Sequence, residues 1–199
     1  MIDTGFSNLR AVFNLLEFLG IRNETVTPKC QISKYDRVII PGVSSFGGLT
    51  ASIKRNDISR WISDYSVSGK PLIGICAGMQ ILFDSSDESP ESSGLSLLPG
   101  KLKRFTPDPT DMNIGWRTIQ GLDGKYYFVH RYYINFRNDS GKILFSEFNK
   151  EKFVALFQIK NLIGIQFHPE KSGADGVNLF RNIVGDGSLS TEKNYENWG

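Results

Sequence analysis

Pro71-Leu72-Ile73-Gly74-Ile75-Cys76-Ala77-Gly78-Met79-Gln80-Ile81-Leu82-Phe83 passes from one apolar run, through a Gly-Ile-Cys-Ala-Gly turn, into a second. The pattern reads as strand, sharp turn and helix, with a cysteine at the tip. It is the cysteine counterpart of the G-x-S-x-G nucleophile elbow, whose strained turn pushes the reactive atom out above the sheet edge. Side chains at the flanking glycines would crowd both the turn and an approaching ligand.

Outward from the elbow, strands and helices alternate. Asn8 to Leu19 carries Leu9, Val12, Phe13, Leu16 and Leu19 in a helical stripe. Arg37 to Ile40 reads as a strand, Ile53 to Tyr65 as a helix, Lys70 to Ile75 as a strand, and Gln80 onward as a helix. From Leu98 to Phe157 strands are joined by short turns such as Asp123-Gly124 and Ser140-Gly141. The expected fold class is therefore α/β: a mostly parallel central sheet flanked by helices, with an antiparallel extension in the middle of the chain. Residues 1–184 form one expected domain, and 185–199 a polar, mobile C-terminal tail whose Tyr195 and Trp198 are candidates for docking on a partner. Ser85 to Gly94 is expected to be a solvated loop.

A second segment complements the cysteine. Ile163-Gly164-Ile165-Gln166-Phe167 reads as a strand and ends in His168-Pro169-Glu170. Proline pushes the preceding residue toward extended backbone, where residues two apart project to one side. Glu170 then reaches one imidazole nitrogen of His168 and leaves the other for a thiol. An imidazole beside Cys76 favours the thiolate, and the N-terminus of the following helix adds to that. Cys76, His168 and Glu170 are the candidate nucleophile, base and orienter of a cysteine-type triad.

The chain has two cysteines and two histidines, so rivals are few. His130 lies in the aromatic strand Tyr126-Tyr127-Phe128-Val129-His130 with no carboxylate two residues away, and reads as locally satisfied. Cys30, in a polar stretch, reads as an ordinary free thiol. Gly42-Val43-Ser44-Ser45-Phe46-Gly47-Gly48 lacks the Gly-Lys-Ser/Thr ending of a phosphate loop. No His/Cys cluster suggests a metal, and no cofactor is implied.

Composition agrees with a water-soluble enzyme. With 199 residues and 40% hydrophobic content, one sizeable core is expected. A net charge of +2 without a dense Lys/Arg run argues against a nucleic-acid footprint. The apolar runs are strand-sized, so neither a membrane span nor a signal peptide is expected. Two cysteines in unlike contexts point to free thiols in a reducing cytoplasm.

The elbow and the downstream Gln166-Phe167-His168-Pro169-Glu170-Lys171-Ser172 together resemble a class I glutamine amidotransferase domain. More narrowly, Ile2-Asp3-Thr4-Gly5-Phe6-Ser7-Asn8-Leu9, Pro41-Gly42-Val43, Gly115-Trp116 and Tyr127-Phe128-Val129-His130 resemble the glutaminase subunit of imidazole glycerol phosphate synthase. The resemblance implies hydrolysis of glutamine to glutamate and ammonia through a Cys76 thioester. It also implies oxyanion donors at Ala77 and at Gly42-Val43, with Gln80 and the backbone at Arg131 and Tyr132 holding the substrate's amino-acid end. Ser44, Ala77, Arg131 and Asn113-Ile114-Gly115-Trp116-Arg117 depart from the family pattern without touching the triad. Only Met1-Ile2 precede Asp3, so the expectation is either that a few family-like residues are missing or that the start site is misassigned.

The sequence holds no recognisable site for an ammonia acceptor, which implies a partner. In the resembled enzyme it is a (βα)₈-barrel cyclase, with Trp116 and Lys171 at family-like interface positions. Two other readings stay open: a paralogous subunit serving the synthetase of a sugar amidotransferase for surface polysaccharide, and a catalytically silent structural subunit.

Overall fold

The computed structural model describes residues 1–3, 5, 9–26, 30–31, 34–55, 57–106, 112–187 and 189. Three short apolar segments form the centre: β1 (Val38–Ile40), β2 (Leu72–Ile75) and β10 (Leu162–Ile165), every residue of which is buried. Continuous apolar runs of this kind are what a parallel strand covered on both faces requires. β1 and β10 flank β2 in parallel, and the sheet continues antiparallel through β9 (Glu151–Ile159) to β8 (Gly141–Phe148), in the order β1-β2-β10-β9-β8. The expected antiparallel extension is therefore β8–β9. Ile2 donates its N–H to Ile39 O at 2.9 Å, so the start of the chain lies beside β1.

The alternation of side chains divides the core in two. Val38, Ile40 and Leu72 face one cluster, which takes in Phe46, Leu49 and Ile53 of α2 (Phe46–Arg55) and Ile58, Trp61, Ile62 and Tyr65 of α3 (Ile58–Ser66). Ile39, Ile73, Ile75, Ile163 and Ile165 face the other, with Val12, Leu15 and Leu16 of α1 (Leu9–Phe18) and Leu179, Phe180 and Ile183 of α5 (Gly173–Asp186). The remaining described strands form two small sheets. One contains β3 (Ser85–Ser86), β4 (Lys101–Arg104) and β7 (Tyr132–Tyr133); the other pairs β5 (Asn113–Arg117) with β6 (Tyr126–His130).

Three sequence expectations change. The helix expected over Ile53 to Tyr65 is two, broken where Asp57 takes a left-handed φ of 54°. The helix expected from Gln80 onward is α4 (Ala77–Gln80), one turn long. Ile81, Leu82 and Phe83 are all fully buried, which one helix face cannot achieve, and their carbonyls instead accept from Leu95, Ser96, Leu97 and Leu98. Ser85 to Gly94 is more than a solvated loop: Ser86 is buried, and Glu88 Oε2 accepts the Phe46 N–H at 2.6 Å, capping α2.

At the C-terminus α5 runs to Asp186, and Gly187 takes the left-handed cap at φ 64°. Leu189 is buried, with its N–H 2.7 Å from Gln158 Oε1 and its carbonyl 3.3 Å from Lys142 Nζ. Tyr195 and Trp198 lie outside the described residues. Among the described residues, no helix is long and apolar enough to cross a membrane.

Candidate active site

β1, β2 and β10 end together, and the crevice beyond the carboxyl ends of parallel strands is where open α/β sheets bind ligands. Cys76 stands there at φ 51° and ψ −113°, a conformation that L side chains rarely adopt. The turn is pinned at both ends. Its N–H donates to Ile165 O at 2.7 Å, and its carbonyl accepts from Met79 at 3.0 Å and Gln80 at 3.1 Å. The surrounding glycines are there for close approach. A Cβ on Gly78 would enter the Ile40 carbonyl, one on Gly74 would meet Gly78 O at 2.5 Å, and one on Gly42 would strike the Gly78 backbone.

His168 is extended, at φ −100° and ψ 101°, and its N–H donates to Tyr127 O at 2.9 Å. The carbonyl accepts from Ser172 Oγ at 2.6 Å, and that oxygen in turn accepts the Tyr127 N–H at 2.9 Å. Pro169–Lys171 then forms a 3₁₀ turn. The expected contact is made, with Nδ1 of His168 2.8 Å from Glu170 Oε1 and both side chains buried. Its cause differs, because only His168 is extended and the 3₁₀ turn carries Glu170 back to the ring.

The imidazole also lies near enough to the Cys76 side chain to interact with it electrostatically. Burial alone pushes its pKa down, but the Cys76 sulfur and the Glu170 carboxylate outweigh that and hold it at about 10. Because α4 is one turn long, the helix N-terminus contributes less to a thiolate than the sequence suggested. A helix of one turn carries only a small dipole.

Ala77 begins α4 directly after the cysteine, and Gly42 packs on Ala77 and Gly78, so both expected oxyanion segments border the elbow. Val43 is half exposed, and the Ser44 hydroxyl is buried without a hydrogen-bond partner among the described residues. Gln80 is buried, with Nε2 3.0 Å from Tyr132 O and 3.2 Å from Gln166 Oε1. Two backbone acceptors expected near the substrate are already engaged. Arg131 O accepts from Phe105 N, and Tyr132 O accepts from Gln80 and from His130 Nδ1. Trp116 of β5 is 50% exposed, and both it and Lys171, from the 3₁₀ turn, approach the Tyr127 ring of β6.

His130 sits apart from the chemistry. Burial pushes its pKa down to about 3, only partly opposed by the bond to Tyr132 O. Both ring nitrogens are engaged locally, by Asn113 and Tyr132 O, as the sequence suggested. Sequence reasoning missed one residue at the thiol. Gln166 is fully buried, with Nε2 3.7 Å from Cys76 Sγ. Its position two residues before His168 on a strand was the available signal.

Residues 1–185 match the family described as glutamine amidotransferase class-I. The HisH subunit of imidazole glycerol phosphate synthase from Leptospira interrogans is 34% identical, the match covering 92% of this chain and 98% of that one. Imidazole glycerol phosphate synthase hisHF of Schizosaccharomyces pombe is 33% identical over 92% of this chain, which spans 37% of that longer protein. A crystallised glutamine amidotransferase shares the fold at a TM-score of 0.72 and 17% identity, covering 93% of this chain and 97% of that one. A family match over nearly the whole sequence thus meets, in the fold, a cysteine elbow and a buried His-Glu pair brought to the same crevice: the chain belongs to the class-I glutamine amidotransferases.

Proposed function

We infer that the protein is a glutaminase subunit of imidazole glycerol phosphate synthase, releasing ammonia for a (βα)₈-barrel cyclase partner in histidine biosynthesis. The observation that carries the reading is Cys76 on a strained turn beside a buried histidine that is itself paired with Glu170. The similarity to HisH chains at about a third identity supports the choice of pathway.

In this mechanism the thiol proton resides on His168, and the Cys76 sulfur attacks the side-chain carbonyl carbon of glutamine. The developing oxyanion is met by the N–H groups of Ala77 and of the Gly42-Val43 segment. As the C–N bond breaks, His168 gives its proton to the leaving nitrogen, and ammonia departs from a glutamyl thioester. Water then attacks the thioester, His168 takes the water's proton, and the C–S bond breaks to release glutamate. Glu170 holds the imidazole and balances its charge. Gln80 borders the space for the substrate's amino-acid end. The exposed face carrying Trp116 and Lys171 meets the partner.

The test is glutamate release from glutamine by the chain alone, then with a barrel cyclase loaded with its ribonucleotide substrate. Strong stimulation by the loaded cyclase, absent in Cys76→Ala, is the expected result. Turnover indifferent to the cyclase overturns the pathway and redirects the search to another acceptor, such as a sugar amidotransferase synthetase. No turnover under any condition overturns the glutaminase.

A further inference from the structure

A continuous hydrogen-bond chain leads from the candidate nucleophile to the hairpin surface. Gln166 Nε2 lies 3.7 Å from Cys76 Sγ, a reach suited to the larger sulfur atom, while its Oε1 accepts from Gln80 Nε2 at 3.2 Å. The same Gln80 nitrogen donates to Tyr132 O at 3.0 Å. That carbonyl also accepts from His130 Nδ1 at 2.9 Å, and His130 Nε2 faces Asn113 Nδ2 at 2.9 Å. Asn113 Oδ1 finally accepts from Arg117 Nε at 2.6 Å.

Chemistry fixes every orientation along this chain from its fixed members. A backbone carbonyl only accepts, so Gln80 must turn its NH₂ toward Tyr132, and His130 must carry its proton on Nδ1. Arg117 only donates, so Asn113 turns its oxygen to Arg117 and its NH₂ to the bare Nε2 of His130. Gln80 has one N–H left over. It meets the Gln166 oxygen, which leaves the Gln166 NH₂ facing sulfur. Gln166 and Asn113 are fully buried, so a rotated amide would leave unpaired groups with no water to satisfy them.

We propose that Gln166 is a positioning residue for the Cys76 thiol, its amide held toward the sulfur by the buried chain through Gln80, Tyr132 O, His130 and Asn113 to Arg117. The amide donates to the thiolate while His168 pairs with it from another side, so the sulfur has one fixed direction of attack. The turnover part of this inference rests on the glutaminase reading. The alkylation part does not.

The test compares Gln166→Leu, which keeps bulk but removes both amide groups, with Gln166→Glu, which keeps an acceptor for Gln80 but puts a carboxylate at the sulfur. For both, the rate of Cys76 alkylation by iodoacetamide is expected to fall ~10–100-fold, the range set by loss of a hydrogen bond to a charged group. kcat for glutamine should fall by a similar factor with KM changed much less, and the melting temperature should separate instability from lost positioning. In the unsubstituted chain, the side-chain amide resonances of ¹⁵N-labelled Gln166 should shift when Cys76 is alkylated, a readout that needs no variant to fold. Alkylation rates equal to the parent in a folded variant, or Gln166 resonances indifferent to Cys76 modification, overturn the proposal. If alkylation slows in the variants while the parent shows no glutamine turnover, the glutaminase reading fails and the positioning role stands.

Discussion

The backbone N–H of Cys76 donates to the carbonyl of Ile165 at 2.7 Å. The bond continues the parallel register in which Ile75 stands opposite Ile165, so Cys76 and Gln166 are the first residues beyond the paired ends of β2 and β10. Gln166 and His168 are 90 or more residues from Cys76 in sequence, yet this register places them beside it. Gln166 meets the sulfur directly, and His168, two residues further, reaches it from the turn.

Glu170, which orients the imidazole without transferring a proton, should differ from Cys76 in its kinetic cost. Cys76→Ala removes the atom that forms the covalent bond and is expected to abolish glutamate release. Glu170→Gln keeps a hydrogen-bond acceptor at the imidazole, so a loss of roughly 10–100-fold in kcat is expected. Equal losses in steady-state assays would contradict an orienting role for Glu170.

Stability should fall on the alkaline side because of His168. Its pKa is raised in the fold from about 6.5 to about 10, so its contribution is fully present below pH ~6.5 and disappears as pH rises through ~10. Urea midpoints measured across that window should decline in the parent and decline less in Cys76→Ala, which lacks the partner sulfur. A parent profile flat to pH 10 would contradict the buried ion pair.

His130 works in the opposite direction. Its pKa is lowered in the fold from 6.5 to about 3, so its contribution is present above pH ~6.5 and is lost as pH falls toward 3, because the unfolded chain binds the proton more readily. His130→Gln should destabilise at neutral pH by breaking the contacts to Asn113 and Tyr132 O, yet show a shallower acid decline. Unchanged acid slopes would show that carboxylates alone govern that limb.

Two glycine substitutions should have opposite signs. Gly78→Ala drives its methyl group into the Ile40 carbonyl, and overpacking of this kind costs about 1–3 kcal/mol or more. Gly185→Ala, inside α5 with open space around it, should stabilise by about 0.5–1 kcal/mol. Denaturant midpoints of the two variants check both, and a tolerated Gly78→Ala would mean that the elbow is looser than it stands here.

The candidate triad was legible in the sequence because its members belong to local patterns: a glycine-flanked cysteine after an apolar strand, and a histidine followed by proline and a carboxylate. The parallel centre was legible for a similar reason, since strands buried on both faces read as unbroken apolar runs. Helix extents were less so. The run Ile81-Leu82-Phe83 is apolar whether it continues a helix or folds back, and only the space beneath Leu95 to Leu98 decided it. Likewise Glu88 looked like part of a polar loop until its carboxylate was found on the Phe46 N–H.

By itself, then, the sequence determined which residues can do chemistry here and which segments must be buried, because both depend on neighbours along the chain. The tertiary structure decided what meets them. The register of β2 against β10, the engagement of the Tyr132 carbonyl and the alignment of Gln166 with Cys76 arise between segments far apart in sequence. Side-chain hydrogen bonds over such separations leave no periodic trace, so they became visible only once the sheet had brought the segments together.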